Sequence, residues 1–265
     1  MGRLLTLLYG VVSYVIFLGS FLYAVGFVGN LGVPKSIDVG ANFHFWPALA
    51  VNCLLLGAFA VQHSVMARQS FKRAWTKIIP RPIERSTFVL ISSLLLILLY
   101  WQWQPITQPV WSVQSPFLAA ILHVMFWLGW AVVLISTFMI NHFDLFGLRQ
   151  VTLHFRKKEY TPPRFTKAGL YSHIRHPIMA GFIVAFWATP HMTAGHLIFA
   201  VATTGYILVG IALEEKDLIR FIGADYVRYR AEVPMLVPGT KGIKSKSPKD
   251  LGVVTPELSR DQSDV

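Results

Sequence analysis

"PIMAGFIVAFWATPHMTAGHLIFAVATTGYILVGIAL", residues 177 to 213, contains no Asp, Glu, Lys or Arg. As one helix it would reach about 55 Å at 1.5 Å per residue, nearly twice the roughly 30 Å hydrocarbon core of a bilayer. The interruption "TPHMTAG" at 189 to 195 resolves the excess length, because proline and glycine end helices and small polar residues favour turns. The stretch therefore reads as a helical hairpin. Its first arm is short, and is expected to be tilted or re-entrant against other helices instead of facing lipid.

Outward from the hairpin, the uncharged windows 4 to 28, 45 to 67, 86 to 103 and 117 to 141 each approach the length of about 20 residues that one helical pass requires. The composition agrees, at 54% hydrophobic and 14% charged residues with a mean hydropathy of +0.52, outside the balance of a soluble domain. The first window is too long, too weakly preceded by charge (Arg3 alone) and too poorly followed by a cleavage site for a signal peptide. From Glu214, "EEKDLIRFIGADYVRYRAEVP" alternates apolar and charged residues at helical spacing and stops at Pro234. The expected fold is all-α: a polytopic integral membrane protein with four transmembrane helices, a C-terminal transmembrane or re-entrant helical hairpin and a cytosolic amphipathic helix. Residues 1–238 are expected to form the membrane domain, and the polar, Gly-, Pro- and Ser-containing residues 239–265 a disordered cytosolic tail.

The charge is laid out in alternation. Residues 68 to 85 carry Arg68, Lys72, Arg73, Lys77, Arg81 and Arg85, and residues 142 to 175 carry Arg149, Arg156, Lys157, Lys158, Arg164, Lys167 and Arg175, whereas 29 to 44 has Lys35 alone and 104 to 116 has no Lys or Arg. Basic loops stay cytoplasmic, so both termini are expected there, in a bacterial inner membrane. The net charge of +11 follows from this asymmetry, and no nucleic-acid partner is expected, since the basic residues flank spans without an exposed aromatic platform. The single cysteine, Cys53, lies within a span and is expected to pack in the interior; it provides neither a disulfide framework nor a thiolate-rich metal site, and no metal is expected.

Ionisable groups at a membrane are functional candidates by default. Near the end of the second window stand Gln62, His63 and Met66; leaving the fourth are His142 and Asp144, close enough to orient one another across a turn. Ahead of the hairpin come Tyr171, His173, Arg175 and His176, then Pro177, suited to the first turn of a helix whose backbone N–H groups favour an anion. Beyond the hairpin, Glu214 and Glu215 return two carboxylates. A site with both signs of charge suits a ligand that carries a carboxylate, an ammonium, hydroxyls and a positive sulfur, with Arg175 as a fork for the carboxylate.

"GLYSHIRHPIMAG" at 169 to 181 and "EEKDLIRFIGADYVRY" at 214 to 229 resemble the pattern of the isoprenylcysteine carboxyl methyltransferase superfamily, in which a Gly-x-Tyr-x-x-x-Arg-His-Pro stretch opens a helical hairpin and a Glu-Glu pair closes it. Gly169, Tyr171, Arg175, His176, Pro177, Gly181, Glu214, Glu215, Gly223 and Tyr226 match; Met179 departs, standing where the family usually has tyrosine. "QHSVMA", "IERSTFVL" and "NHFDLFGLRQV" resemble the nurim-like branch, and within it the bacterial methyltransferases of methanethiol, over residues 1 to about 238. The resemblance implies S-adenosylmethionine as cofactor, held at the cytosolic face by Tyr171, His173, Arg175, His176, Pro177, Glu214 and Glu215, with a small volatile thiol as substrate and dimethyl sulfide as product. An alkyl thiol is mostly protonated at neutral pH, so a base helps; His142 or His63 is expected in that role, with Asp144 orienting it or binding cofactor, and His173 and His176 as further candidates. Apart from the lipid bilayer, no obligatory protein partner is expected. Alternatives are methylation of a carboxyl or other group on a prenylcysteine or lipidic substrate, a haem-binding protein, and a non-enzymatic nurim-like membrane protein.

Overall fold

The computed structural model of the protein describes residues 2–41, 43–163 and 167–240. The tail expected at 239–265 lies, from residue 241, outside the described residues. The architecture is all-α with one small two-stranded sheet. Its long helices are α1 (Arg3–Gly29), α2 (Phe45–Ala67), α4 (Glu84–Gln102), α5 (Pro116–Ile140) and α9 (Ala194–Ile222), each long and apolar enough to cross a membrane. Short elements join them: α3 (Gln69–Trp75), strand β1 (Pro109–Ser112), α6 (His142–Leu145), α7 (Leu148–Phe155), α8 (Pro177–Trp187), strand β2 (His191–Thr193) and α10 (Ala224–Glu232). The chain is an integral membrane protein.

Helix limits follow local chemistry. Asn30 ends α1 in the left-handed conformation, at φ 54°. Ser115 accepts a bond from the Leu118 N–H and Pro116 opens α5, a polar cap followed by a residue that lacks the otherwise orphaned donor. The hairpin breaks where expected, with Trp187 the last residue of α8 and β2 occupying the interruption. At eleven residues α8 extends about 17 Å and cannot cross a 30 Å core alone. The amphipathic helix expected to start at Glu214 does not start there. No breaker separates Leu213 from Glu214, so α9 runs on to Ile222 and stops at Gly223, whose φ of 71° and ψ of −136° only glycine adopts without strain; α10 follows.

The described chain forms two compact units, one of residues up to 166 with 178–206, the other of residues 167–177 with the chain from 207 onward. In the first, α4 packs between α1 and α2, and α7 lies against α1. The interior is aromatic: Phe27 of α1, Tyr100 and Trp103 around the end of α4, Trp130 of α5, Phe186 of α8 and Phe199 of α9 belong to one buried cluster. A Cβ on Gly129 of α5 would stand 2.7 Å from the Gly181 carbonyl and the Ala185 nitrogen, and one on Gly181 of α8 would stand 2.7 Å from the Gly129 carbonyl, so two backbones touch through paired glycines as membrane helices do. Cys53, expected inside, is exposed on α2; α2 is apolar all round, and no sequence face marks which side is turned outward.

The weakly charged loops gather at one end of this unit. β1 pairs antiparallel with β2, Thr193 donates to Asp38 at 2.5 Å, Trp103 donates its indole N–H to the Ile37 carbonyl at 3.0 Å, and fully buried Asn52 exchanges two bonds with the Gln104 backbone at 2.8 and 2.9 Å. The basic segments meet elsewhere in the unit. Arg85 Nε donates to the Leu145 carbonyl at 2.7 Å, and Gly147, at φ 87°, lies so close to Ser86 that a Cβ would come within 2.6 Å of its hydroxyl. In the second unit the 3-10 turn Gly169–Ser172, the last part of α9 and α10 surround a small core of Tyr226, Tyr229 and Val233.

Candidate functional site

Glu215 is the hub of the second unit. One of its carboxylate oxygens, Oε1, accepts from Arg175 Nε at 2.7 Å and pairs with His176 Nε2 at 3.1 Å, and the other lies 3.7 Å from Arg230 Nε. The Arg175 side chain is completely buried, the Glu215 side chain nearly so, and that of Glu214 is 48% exposed. His176 spans the pair, since its Nδ1 lies 3.6 Å from Glu214 Oε2. Residues 40 apart in the chain thus meet as the spacing of the two motifs around the hairpin suggested.

Arg175 does more structural work than the sequence indicated. Its Nη1 donates to the Arg230 carbonyl at 3.0 Å and to that of Val233, while the backbone N–H groups of Arg175 and His176 donate to the Pro234 and Met235 carbonyls at 2.9 and 3.2 Å. The fork expected to await a ligand carboxylate is largely filled by Glu215 and by the strap that follows α10. Only Nη2 is buried and without a hydrogen-bond partner among the described residues. Sequence reading missed Arg230 and this strap; Pro234, which cannot continue a helix, was the one visible sign that the chain turns there.

Tyrosines close the cluster. Tyr229 donates to the Tyr171 carbonyl at 2.5 Å, and burial pushes the Tyr229 phenol up to about 12, Arg175 opposing and Glu215 adding to the rise. Burial, then Glu214, raises Tyr171. Both phenols are neutral donors at physiological pH. His173 lies on the surface, its Nδ1 near the Gly169 carbonyl at 3.2 Å and the Ser172 hydroxyl at 3.0 Å, and makes none of the bonds of the buried cluster. Pro177 opens α8 as expected.

The remaining candidates belong to the first unit. His142 is buried and fully engaged, with Nε2 2.8 Å from the Tyr14 hydroxyl, Nδ1 2.8 Å from the Thr137 hydroxyl, and the ring stacked 4.2 Å from Phe138. Thr137 uses its own proton on the Leu134 carbonyl at 2.7 Å, so Nδ1 donates to Thr137 and Nε2 accepts from Tyr14. Burial lowers the His142 pKa. Tyr14, on α1, carried no sequence signal. Asp144 does not orient His142; it pairs with Arg149 at 2.9 Å and accepts from Tyr160 at 3.1 Å, and Asn141, not Asp144, caps the short helix by accepting from the Asp144 N–H. His63 stands between Phe59, at 5.3 Å, and Phe88, at 4.9 Å, with Nδ1 3.4 Å from the Ser92 hydroxyl. No hydrogen bond within the described residues involves its Nε2. Of the two histidines expected as base, His63 keeps a ring nitrogen open and His142 does not.

Taken alone, the second unit's cluster pairs an exposed carboxylate with a buried guanidinium nitrogen that lacks a partner, an arrangement suited to a small zwitterion. Comparison with known proteins narrows the choice. The family model described as NnrU protein matches residues 52–223. The chain is 56% identical over 90% of its length to the methanethiol S-methyltransferase of Mycobacterium tuberculosis (strain ATCC 25618 / H37Rv), covering 98% of that protein. It is 54% identical over 91% of its length to methanethiol S-methyltransferase 1 of Bradyrhizobium diazoefficiens, covering 85% of that protein, and 29% identical over 71% of its length to nurim of Rattus norvegicus, covering 78%. No solved structure shows significant similarity.

Proposed function

The chain belongs to the NnrU protein family, and from that premise we propose that it is a methyltransferase that carries the methyl group of S-adenosylmethionine to methanethiol, releasing dimethyl sulfide and S-adenosylhomocysteine at the cytosolic face of a bacterial inner membrane. The observation that carries this reading is near-full-length identity of 56% to a protein named for that reaction. The alternating basic and weakly charged loops support cytoplasmic termini.

The residues present fit the cofactor. The partnerless Nη2 of Arg175 and the exposed Glu214 supply a cation for its carboxylate and an anion for its ammonium or ribose hydroxyls, and Tyr171 is assigned to packing against adenosine. When bound, S-adenosylmethionine supplies a methyl group on a positively charged sulfur. Glu215 acts one step back: it fixes Arg175 and His176, and with them the strap at 233–235. The thiol must lose its proton to become the nucleophile, and His63 Nε2 is the acceptor that the local bonding leaves open, while His142 and Tyr14 form a buried pair and Asp144 anchors Arg149. Alignment accounts for most of the remaining acceleration.

The reading is tested by measuring S-adenosylhomocysteine released by purified protein with and without methanethiol. Release that depends on the thiol is expected; release that is equal without thiol, or that appears only with a prenylated cysteine substrate, would replace this reading.

A further inference from the structure

Where the basic segments of the first unit meet, they line an open cavity of about 700 Å³. Four cations line it: Lys72 of α3, Arg81 and Arg85 around the start of α4, and Lys158 beyond α7. Two carboxylates share the lining, Glu84 and Asp144. Asp144 is already occupied on both oxygens, by Arg149 at 2.9 Å and by the Tyr160 hydroxyl at 3.1 Å, which leaves Glu84 facing four cations.

Arg85 is fixed in position. Its Nε is tied to the Leu145 carbonyl at 2.7 Å, and its guanidinium carbon lies 5.1 Å above the Phe88 ring. Its two terminal nitrogens make no hydrogen bond within the described residues. Lys72 is held below the ordinary ammonium range by burial, with Arg85 adding to the shift and Glu84 opposing it. Like charges brought together with partial loss of water raise the free energy of the fold unless an anion joins them.

Apolar side chains, Ile140, Leu145 and Leu153, share the lining with these charges. Ile140 is the last residue of α5 and Glu84 the first of α4, so the cavity lies at the level where two spanning helices leave the hydrocarbon. We propose that this cavity binds the headgroup phosphate of an anionic phospholipid, with Arg81, Arg85, Lys72 and Lys158 around the phosphate and Ile140 and Leu153 against the first carbons of the acyl chains. Guanidinium forks match phosphate oxygens in pairs, and basic pockets between membrane helices on the cytoplasmic side select anionic headgroups. A soluble phosphate ester would use the cations alone; the apolar part of the lining and the position at the end of α5 favour the lipid.

The test places the full-length protein in phosphatidylcholine nanodiscs with or without phosphatidylglycerol and counts retained lipids by native mass spectrometry. Wild type is expected to retain phosphatidylglycerol in preference to phosphatidylcholine. Each of Lys72→Gln, Arg81→Gln and Lys158→Gln should weaken that preference about fivefold. The pair Arg156→Gln and Lys157→Gln removes exposed basic residues that do not line the cavity and should leave the preference intact. Arg81 and Lys158 are themselves exposed, so their variants fold and report on binding even if Lys72→Gln does not. Three results would each overturn the proposal: no preference in wild type, equal loss in the control pair, or displacement of the lipid by millimolar glycerol 3-phosphate, which would make this a site for soluble phosphates.

Discussion

Glu214 and Glu215 adjoin in the chain and face different tasks. Glu215 is surrounded by Arg175, His176 and Arg230, and removing its charge strands a guanidinium whose side chain has no access to water. Breaking a buried pair from one side costs about 3–5 kcal/mol, so Glu215→Gln should lower the melting temperature in detergent sharply. Glu214→Gln changes a half-exposed group, should shift stability by less than about 0.5 kcal/mol, and should weaken S-adenosylmethionine binding about tenfold, as loss of a hydrogen bond to a charged group does. Calorimetry on both variants separates the two roles; equal melting temperatures would show that Glu215 holds nothing together. His142 makes a claim about pH. Its pKa is lowered by burial, so below the unfolded-state value of about 6.5 the unfolded chain takes up a proton that the folded chain still refuses. The stabilising preference for the neutral ring is complete above that value and is lost as pH falls toward the lowered folded value. Thermal stability should therefore fall from pH 7 to pH 5 in wild type and fall less in His142→Gln; parallel curves would contradict the assignment.

Among the elements, the crossing of α5 over α8 is the least tolerant contact. A methyl group at Gly181 would press on the backbone of Gly129 and on Val133, and overpacking of this kind costs about 1–3 kcal/mol. Gly181→Ala should lower the melting temperature, whereas Gly57→Ala, where nothing stands within 4 Å, should not; equal effects would mean that the two helices do not rely on close approach. The long helices were legible because charge-free windows about 20 residues long have one interpretation, and the hairpin because Pro190 and Gly195 interrupt an apolar run. The far end of α9 was not legible: the change from apolar to charged at Glu214 looks like a new element, yet helical hydrogen bonding continues through polarity changes until Gly223 stops it. The β1–β2 pairing was also invisible, since three or four residues beside turns carry no periodicity. Asn52, in the middle of an apolar window, gave no hint that its side chain would serve the Gln104 backbone.

At the scale of the whole molecule, the layout of charge is the strongest link between sequence and function. The motif on each side of the hairpin was readable from residue types alone, and the meeting of Arg175, His176, Glu214 and Glu215 follows from it. The division of labour among the candidate residues of each unit was not readable, because it depends on which nitrogens are already bonded: in the second unit Arg175 spends most of its fork on the Arg230 and Val233 carbonyls and Glu215, and in the first His142 spends both nitrogens on Tyr14 and Thr137 while His63 keeps one. In the proposed reaction the methyl group of S-adenosylmethionine ends on the sulfur of methanethiol. Incubating purified protein with methanethiol and S-adenosylmethionine bearing a fully deuterated methyl group, and weighing the dimethyl sulfide in the headspace, follows that methyl group to its product. Dimethyl sulfide with one trideuterated methyl, formed by wild type and lost in His63→Ala, is the expected result. Unlabelled dimethyl sulfide, or none while the protein still binds the cofactor, would contradict the account.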